Sequence, residues 1–230
     1  MPLTIDYCGE IVQVQDDVAF TIGRDADLVI DENPFLHRKF LRLQRERSMW
    51  TIVNVGTQLA ATLADGDRVV QAWLAPGAQL PLVFARSTVW FTAGPTTYEL
   101  DIVQEDAPFS VAVPETPATG TTTQGRTSLA PEQRLLLAAL AEPMLRRRVR
   151  GAVNALSNAE VAERLGWTIT KFNRKLDNLC QKFERLGVRG LHGGPQRLAT
   201  DRKARLIEYA LATRLIDEQD LKLLGPHPAR

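Results

Sequence analysis

Residues 156–188 read LSNAEVAERLGWTITKFNRKLDNLCQKFERLGV and carry the start and stop signals of two consecutive helices. Ser157 and Glu160 have the spacing of a capping box, and Gly166 is a typical helix stop. Thr168 can cap a second helix, whose apolar positions share one face: Phe172, Leu176, Leu179, Cys180 and Phe183. Two helices joined by a short turn at a glycine indicate a helix-turn-helix, in which the second helix enters the major groove of DNA.

The face of the second helix opposite these apolar residues is polar and basic. We predict that it contacts double-stranded DNA through Thr168, Thr170, Lys171, Arg174, Lys175 and Asn178. Arginine and asparagine can pair bidentately with base edges, and each lysine that neutralises a phosphate adds affinity through counterion release. A solvated helix surface without a ligand is the alternative interpretation.

The segment before the capping box also has helical periodicity. Pro131 suits a first helical turn, and an apolar stripe follows it: Leu135, Leu136, Ala139 and Leu140. Pro143 is predicted to start a new segment, which ends in a run of arginines. Within this run, Arg147 and Arg148 are predicted to contact DNA phosphates.

After the second helix, residues 188–199 have the length and the Gly-Gly-Pro centre of a small hairpin, the usual form of a wing. Arg189 and Arg197 are predicted to touch the minor groove or the DNA backbone from this hairpin, and an inert turn is the alternative. Residues 201–216 have the apolar spacing of a closing helix. The predicted unit is a winged helix-turn-helix domain over residues 129–230.

The first hundred residues have a different period. Short runs alternate between apolar and polar residues, as in Leu3-Ile5-Tyr7 and Tyr98-Leu100-Ile102, and Gly, Pro, Asn and Asp separate them. Nothing between the runs has the length of a crossover helix, which disfavours a parallel sheet. We therefore predict an all-β sandwich over residues 1–104. Residues 105–128, rich in Pro, Ser and Thr, are predicted to form a flexible linker.

Charge divides the chain in the same way. The net charge of the 230 residues is +1, but it is −5 over residues 1–104 and +8 over residues 129–230. The basic half is a candidate for binding a polyanion. No apolar stretch is long enough to span a bilayer and the first residues lack the pattern of a signal peptide, so we expect a cytoplasmic protein without a membrane partner.

The predicted sandwich resembles forkhead-associated (FHA) domains. The resemblance is carried by residues 20–24 (FTIGR), 27–31 (DLVID), 34–40 (PFLHRKF) and 50–57 (WTIVNVGT). It implies an 11-stranded sandwich whose loops bind phosphothreonine. The residues that would form the phosphopeptide site are Arg24, His37, Arg38, Thr57 and Gln58. Guanidinium forks with hydroxyl or amide donors suit a phosphate dianion.

This chain departs from the FHA pattern at two motifs. Where the family has Ser-Arg-x-His, the chain has residues 37–40, HRKF, and where the family has Ser-x-Asn-Gly-Thr, it has residues 57–61, TQLAA. The phosphate-contacting serine is thus His37, the structural histidine is Phe40, and the asparagine that holds the peptide is Leu59. Two interpretations stay open: phosphothreonine binding with charge from Arg24, Arg38 and His37, or phosphate-independent contact with a protein partner, which we favour.

Residues 156–188 are similar to the helix-turn-helix of LuxR-type response regulators and of sigma-factor DNA-binding domains. The shared features are a first helix NAEVAERLG at 158–166, a threonine in the turn and a basic second helix. The similarity implies that the polar face described above contacts DNA. The second helix is a turn longer than in these families, and the predicted wing belongs to neither of them.

Enzyme chemistry is disfavoured because the three histidines are scattered and no nucleophile motif, P-loop or metal-ligand spacing is present. We expect neither a cofactor nor a metal. The prediction is a DNA-binding transcriptional regulator of bacterial type, whose sandwich docks a protein or phosphoprotein partner. If the protein forms a homodimer, we expect it to bind two half-sites one helical turn apart. The alternative is a phosphopeptide-binding adaptor in Ser/Thr kinase signalling that does not bind DNA.

Overall fold

The computed structural model describes residues 3–110, 129–146, 151–188, 190–191 and 199–225. The first half of the chain forms two packed sheets, which confirms the all-β sandwich. Its strands are β1 Leu3–Tyr7, β2 Glu10–Val14, β3 Phe20–Gly23, β4 Leu28–Val29, β5 Leu41–Glu46, β6 Met49–Asn54, β7 Ala61–Asp65, β8 Gln71–Leu74, β9 Gln79–Pro81, β10 Arg86–Ala93 and β11 Thr96–Gln104. The strand order is β2-β1-β11-β10-β7-β8 in the first sheet and β4-β3-β5-β6-β9 in the second.

Apolar side chains that alternate along the strands fill the space between the sheets. In β1, Leu3, Ile5 and Tyr7 are buried, as the period of two predicted. The ring of Phe91 lies at the centre of this core, 4.8 Å from the ring of Phe40 and 4.9 Å from that of Tyr98. The residue that replaces the family's structural histidine, Phe40, is therefore a fully buried part of the sandwich core.

Strand β7 lacks the alternation because it is buried on both faces. All five of its residues are buried. Leu63 packs into the sandwich core, whereas Ala64 packs into the core of the helical half. A strand covered on both sides has no solvent face to carry polar residues, so the period of two is lost.

The second half of the chain is helical. Its elements are α1 Pro131–Arg146, a short strand β12 Ala152–Asn154, α2 Asn158–Arg164, α3 Ile169–Arg185, α4 Ala199–Ala212 and a final 3-10 helix Glu218–Leu224. The predicted capping box is confirmed: Ser157 Oγ accepts from the Glu160 N–H at 3.2 Å, and the Glu160 carboxylate accepts from the Ser157 N–H at 2.7 Å. Thr168 caps α3, where its hydroxyl accepts from the Lys171 N–H at 3.2 Å. The predicted apolar face of α3 is buried.

Two predictions about helix bounds are wrong. Helix α1 continues through Pro143 to Arg146. Proline cannot donate the helical hydrogen bond to residue 139, but Leu140, Met144 and Leu145 are buried in the helical core, and this packing holds the helix together. The closing helix α4 ends at Ala212 instead of residue 216, and Arg214, with a φ of 50°, turns the chain away.

The two halves share a sheet and an interface. Strand β12 pairs antiparallel with residues 96–98 of β11. Helix α4 covers β7 and β10, where the buried carboxylate of Glu208 accepts hydrogen bonds from the hydroxyls of Thr62 at 2.9 Å and Thr92 at 3.1 Å. The indole of Trp90 is fully buried against the helical core. The helical half is therefore packed directly on the sandwich.

Several predictions concern residues outside the described ranges. They include most of the predicted linker, most of the predicted wing, and the predicted DNA contacts Arg147, Arg148, Arg189 and Arg197. The described start of the linker contacts the sandwich, because the Phe109 N–H donates a hydrogen bond to the carbonyl oxygen of Val83 at 3.1 Å. The division into domains at residues 104 and 129 stays a prediction.

Candidate docking cleft and nucleic-acid interface

Three loops meet at one end of the sandwich and form a cleft of about 550 Å³. The cleft brings together all five residues of the predicted phosphopeptide site: Arg24, His37, Arg38, Thr57 and Gln58. Pro34, Phe35, Leu36, Lys39, Val55 and Gly56 complete the lining. Residues far apart in the sequence therefore share one concave surface, which is the geometry a docking site needs.

Two glycines allow the loops to approach each other. A Cβ atom at Gly23 would lie 2.2 Å from the carbonyl oxygen of Arg38, and one at Gly56 would lie 2.6 Å from Cδ2 of His37. Backbone hydrogen bonds fix the first contact, since Arg24 N–H donates to His37 O at 3.0 Å. Only glycine permits this spacing, which explains both glycines of the motifs.

His37 stabilises the loop after β6. Its Nε2 accepts hydrogen bonds from the backbone N–H groups of Gln58 at 3.2 Å and Leu59 at 3.5 Å. Because Nε2 accepts these bonds, it offers no donor to a ligand in this geometry, and His37 holds the loop in place. The guanidinium groups of the cleft belong to Arg24 and Arg38.

The same loop depends on Asn54, which the sequence motifs did not single out. Asn54 is fully buried at the end of β6, and its amide donates to the carbonyls of Leu59 at 2.8 Å and Leu74 at 3.1 Å. Its side-chain oxygen accepts from the Gly56 N–H at 3.0 Å. An asparagine at the end of a buried strand is the only sequence signal for this role.

The cleft has cationic groups to offer a ligand. The Nε of Arg24 is buried and has no hydrogen-bond partner. Arg38 and Lys39 are exposed, and neither makes a side-chain hydrogen bond or an ion pair with a described residue, although the charge of Lys39 helps to lower the pKa of Asp27. Thr57 and Gln58, on the loop after β6, are exposed and also line the cleft. Guanidinium, hydroxyl and amide groups in this arrangement can bind an anionic group of a peptide.

Helix α3 presents a polar face to solvent on the side away from its buried residues. One exposed row of side chains, here called the outward stripe, consists of Thr170, Arg174, Asn178, Gln181 and Arg185. None of the five makes a side-chain hydrogen bond or an ion pair with any residue that the structure describes. The sequence prediction included the first three members and missed Gln181 and Arg185, whose helical spacing was the available signal.

The other predicted DNA contacts on α3 are already engaged. Lys171 and Lys175 both bind the carboxylate of Glu132 in the first turn of α1. Lys171 also lies over the ring of Trp167, with Nζ 4.3 Å from the ring centroid. The hydroxyl of Thr168 is used by the helix cap. The structure thus separates the predicted face into a free outward stripe and a flank that faces α1.

The far flank of α3 contacts the remaining helices. Asn173 accepts a hydrogen bond from the side chain of Asn158 in α2 at 3.1 Å. Asp177 pairs with Arg202 of α4 at 2.5 Å. Contacts on both flanks fix the rotation of α3, so that the outward stripe faces away from the protein.

The described ranges contain neither a metal-binding cluster nor a membrane-spanning helix. Over the described ranges, His, Cys, Asp and Glu side chains form no group of three or more that could hold a metal ion. None of the described helices has the length and apolar character needed to cross a bilayer.

No family model matches the sequence, and no curated protein matches it either. Among solved structures, the chain is similar to the FHA-1 domain of Mycobacterium tuberculosis Rv1747, with 20% identity and a TM-score of 0.33, over 44% of this chain and 94% of that one. It is also similar to the FHA domain of an Arabidopsis thaliana hypothetical protein, with 15% identity and a TM-score of 0.33, over 52% of this chain and 91% of that one. Similarities of this size assign no function.

Proposed function

We propose that the protein is a cytoplasmic DNA-binding transcriptional regulator, in which α3 contacts double-stranded DNA and the cleft of an FHA-like sandwich docks a protein partner. The observation that carries the proposal is the outward stripe of α3. Its five side chains are exposed, polar or cationic, and free of partners among the described residues. A helix that binds in a DNA groove needs a row of side-chain donors that are not already bound within the protein. A helix that only faces solvent has no such requirement.

The surroundings of the stripe support the same proposal. Helix α3 has 17 residues, so it is about 25 Å long and can follow several base pairs of a major groove. Arg174 and Asn178 lie one turn apart on the stripe. Arginine suits the edge of guanine and asparagine that of adenine. Helix α2 precedes α3 through a capped turn, which is the plan of a helix-turn-helix.

The test is selection of genomic DNA fragments by the purified protein, with the wild type beside Arg174→Ala. Arg47→Ala is the matched control, because Arg47 is an exposed arginine on the turn between β5 and β6. The wild type and the control should enrich one motif. Arg174→Ala should bind that motif about tenfold more weakly or lose its preference at one base pair, the effect of losing a bidentate base contact.

The outcomes separate the candidate functions. Two half-sites about one helical turn apart in the motif would indicate a homodimer. Enrichment of no motif, or equal binding by Arg174→Ala, would contradict DNA recognition by α3. If no motif is enriched and phosphothreonine peptides bind the cleft, the adaptor without DNA binding becomes the better assignment.

The docking role of the cleft is proposed without a requirement for phosphothreonine. His37, at the position of the family's phosphate-contacting serine, uses its Nε2 to hold the loop after β6. Arg24 and Arg38 remain available to an anionic group. A carboxylate or a phosphate can bind such a pair, so the partner is expected to be anionic at this point.

A further inference from the structure

A recess continues the cleft onto the outer face of the second sheet. Its volume is about 600 Å³, and its lining consists of Ala19, Thr21, Asp27, Lys39, Arg42 and Val55. Lys39 and Val55 also line the cleft, so the two concave surfaces are continuous. Thr21 in β3 and Arg42 in β5 are directly opposite in the antiparallel register. Their side chains therefore lie on the same face of the sheet.

Arg42 has an unsatisfied donor in this recess. The residue is half-buried, and its Nε is buried without a hydrogen-bond partner. Its guanidinium forms no ion pair with any residue in the described ranges. A buried donor that gives up water and gains no acceptor costs free energy, and a bound anion would recover that cost. Arg24 has the same unpartnered Nε in the cleft.

Asp27 is the one acidic residue among those that line the cleft and the recess. Its carboxylate accepts hydrogen bonds from the N–H and the hydroxyl of Thr21, at 2.7 Å and 2.6 Å. The hydrogen bonds from Thr21 and the nearby charge of Lys39 hold the pKa of Asp27 below its usual range. The other charged side chains of the lining are Arg24, Arg38, Lys39 and Arg42, which make the whole surface cationic.

We propose that the recess is a second anion-binding site, in which Arg42 and Lys39 hold a phosphate or carboxylate group. The partner of the cleft is then a peptide with two anionic groups, one at Arg24 and Arg38 and the other at Arg42. Guanidinium binds both kinds of group through paired N–H donors. The inference rests on the docking role proposed for the cleft and is independent of DNA binding.

The first experiment observes the arginine Nε–Hε signals of the full-length 15N-labelled protein by NMR. The signals are assigned with Arg24→Lys and Arg42→Lys, and exposed Arg47 serves as the internal control. Inorganic phosphate and acetate are added in separate titrations, with sodium chloride at matched ionic strength as the reference. The Arg42 signal should shift saturably with phosphate or acetate and not with chloride.

The readout distinguishes the two levels of the proposal. If Arg24 responds to the anions and Arg42 follows ionic strength as Arg47 does, the second site is overturned while docking at the cleft stands. If neither Arg24 nor Arg42 responds, anion docking at both sites is overturned. A saturable response of both signals supports the complete proposal.

The second experiment tests the spacing of the two groups. Synthetic peptides carry one phosphothreonine or glutamate, with a second phosphothreonine or glutamate placed at each neighbouring position in turn. One spacing should bind about tenfold more tightly than the peptide with a single anion, the gain from one charge-assisted hydrogen-bonded contact. Arg42→Gln should remove that gain and Arg47→Gln should keep it. Equal binding at every spacing would overturn the proposal, and the preferred residue identifies phosphate or carboxylate as the source.

Discussion

The carboxylate of Glu132, in the first turn of α1, lies 3.2 Å from Nζ of Lys171 on α3. Lys175, one turn further along α3, donates a hydrogen bond to the other carboxylate oxygen. The hydrogen bonds from Lys175 and Lys171 hold the pKa of Glu132 below its usual range. Glu132 thus neutralises two lysines of α3. If α3 entered a groove of DNA, a phosphate would lie where the Glu132 carboxylate lies.

Replacing Glu132 by glutamine should strengthen DNA binding. The substitution releases Lys171 and Lys175 and removes a charge that repels phosphate. Each additional phosphate neutralised should steepen the slope of log K against log salt by about 0.9. Fluorescence anisotropy with the selected DNA over a salt series measures both effects. Glu105→Gln is the control, because it removes one exposed carboxylate at the end of the sandwich; identical slopes for both variants would contradict the assignment.

Removing the carboxylate of Glu208 should destabilise the whole chain. Glu208 is buried between α4 and the sandwich, where it binds Arg205 and the hydroxyls of Thr62 and Thr92. Glu208→Ala leaves these groups without their acceptor, and loss of one partner from a buried ion pair costs about 3–5 kcal/mol of unfolding free energy. Urea denaturation followed by tryptophan fluorescence measures the loss. The exposed Glu163 of α2 gives the control, Glu163→Ala, and a similar small loss for both would show that the interface does not depend on Glu208.

The buried thiol of Cys180 should produce a loss of stability at alkaline pH. Burial raises the pKa of Cys180 from 9.0 to about 11. Between these values the unfolded chain loses the proton and the folded protein keeps it, so stability present below pH 9 is lost as the pH rises to about 11. The unfolding free energy of the wild type relative to Cys180→Ala should fall by about 2–3 kcal/mol over this range.

The measurement is a set of denaturation curves at several alkaline pH values. Cys180→Ala also lowers the unfolding free energy because its side chain is smaller. This loss is the same at every pH, so it does not affect the change with pH that is compared. Cys8→Ala serves as the control, since Cys8 is exposed on the turn between β1 and β2. A pH-independent difference between the wild type and Cys180→Ala would contradict the prediction.

The substitution Gly56→Ala should disturb the cleft. Its Cβ would lie 2.6 Å from the ring of His37, which must move and release the N–H of Gln58. The amide of Gln58 should then shift in a 15N spectrum and exchange faster with solvent. In Gly66→Ala, the new Cβ would lie 3.3 Å from the flexible side chain of Arg86, which can yield. Equal amide changes at Gln58 in the two variants would show that His37 does not hold the loop.

The features predicted correctly from sequence are those with short-range causes. The caps at Ser157 and Thr168 are formed by residues three positions apart, and the buried face of α3 follows from helical periodicity. The alternating strand β1 has one face on the core, so its pattern is visible in the chain itself. The residues of the cleft were identified through motif resemblance, and the structure places them on one surface.

The features that sequence could not supply depend on contacts between distant residues. Strand β7 lost its alternation because α4, more than a hundred residues later, covers its second face. Pro143 remains inside α1 because tertiary packing offsets a local penalty. The imidazole of His37 accepts a hydrogen bond from Gln58, which lies 21 residues later in the sequence.

By itself, the sequence determined the two structural classes, the capped helix pair with its buried face, and the arginines of the cleft, because periodicity, caps and motifs act within a few residues. The tertiary structure decided which polar and cationic side chains are available to a partner. Lys171 and Lys175 pair with Glu132, whereas Arg174 and Asn178 face solvent and Arg42 keeps an unpartnered Nε. Charge is a property of a residue, but its availability depends on which neighbours folding brings within hydrogen-bond distance.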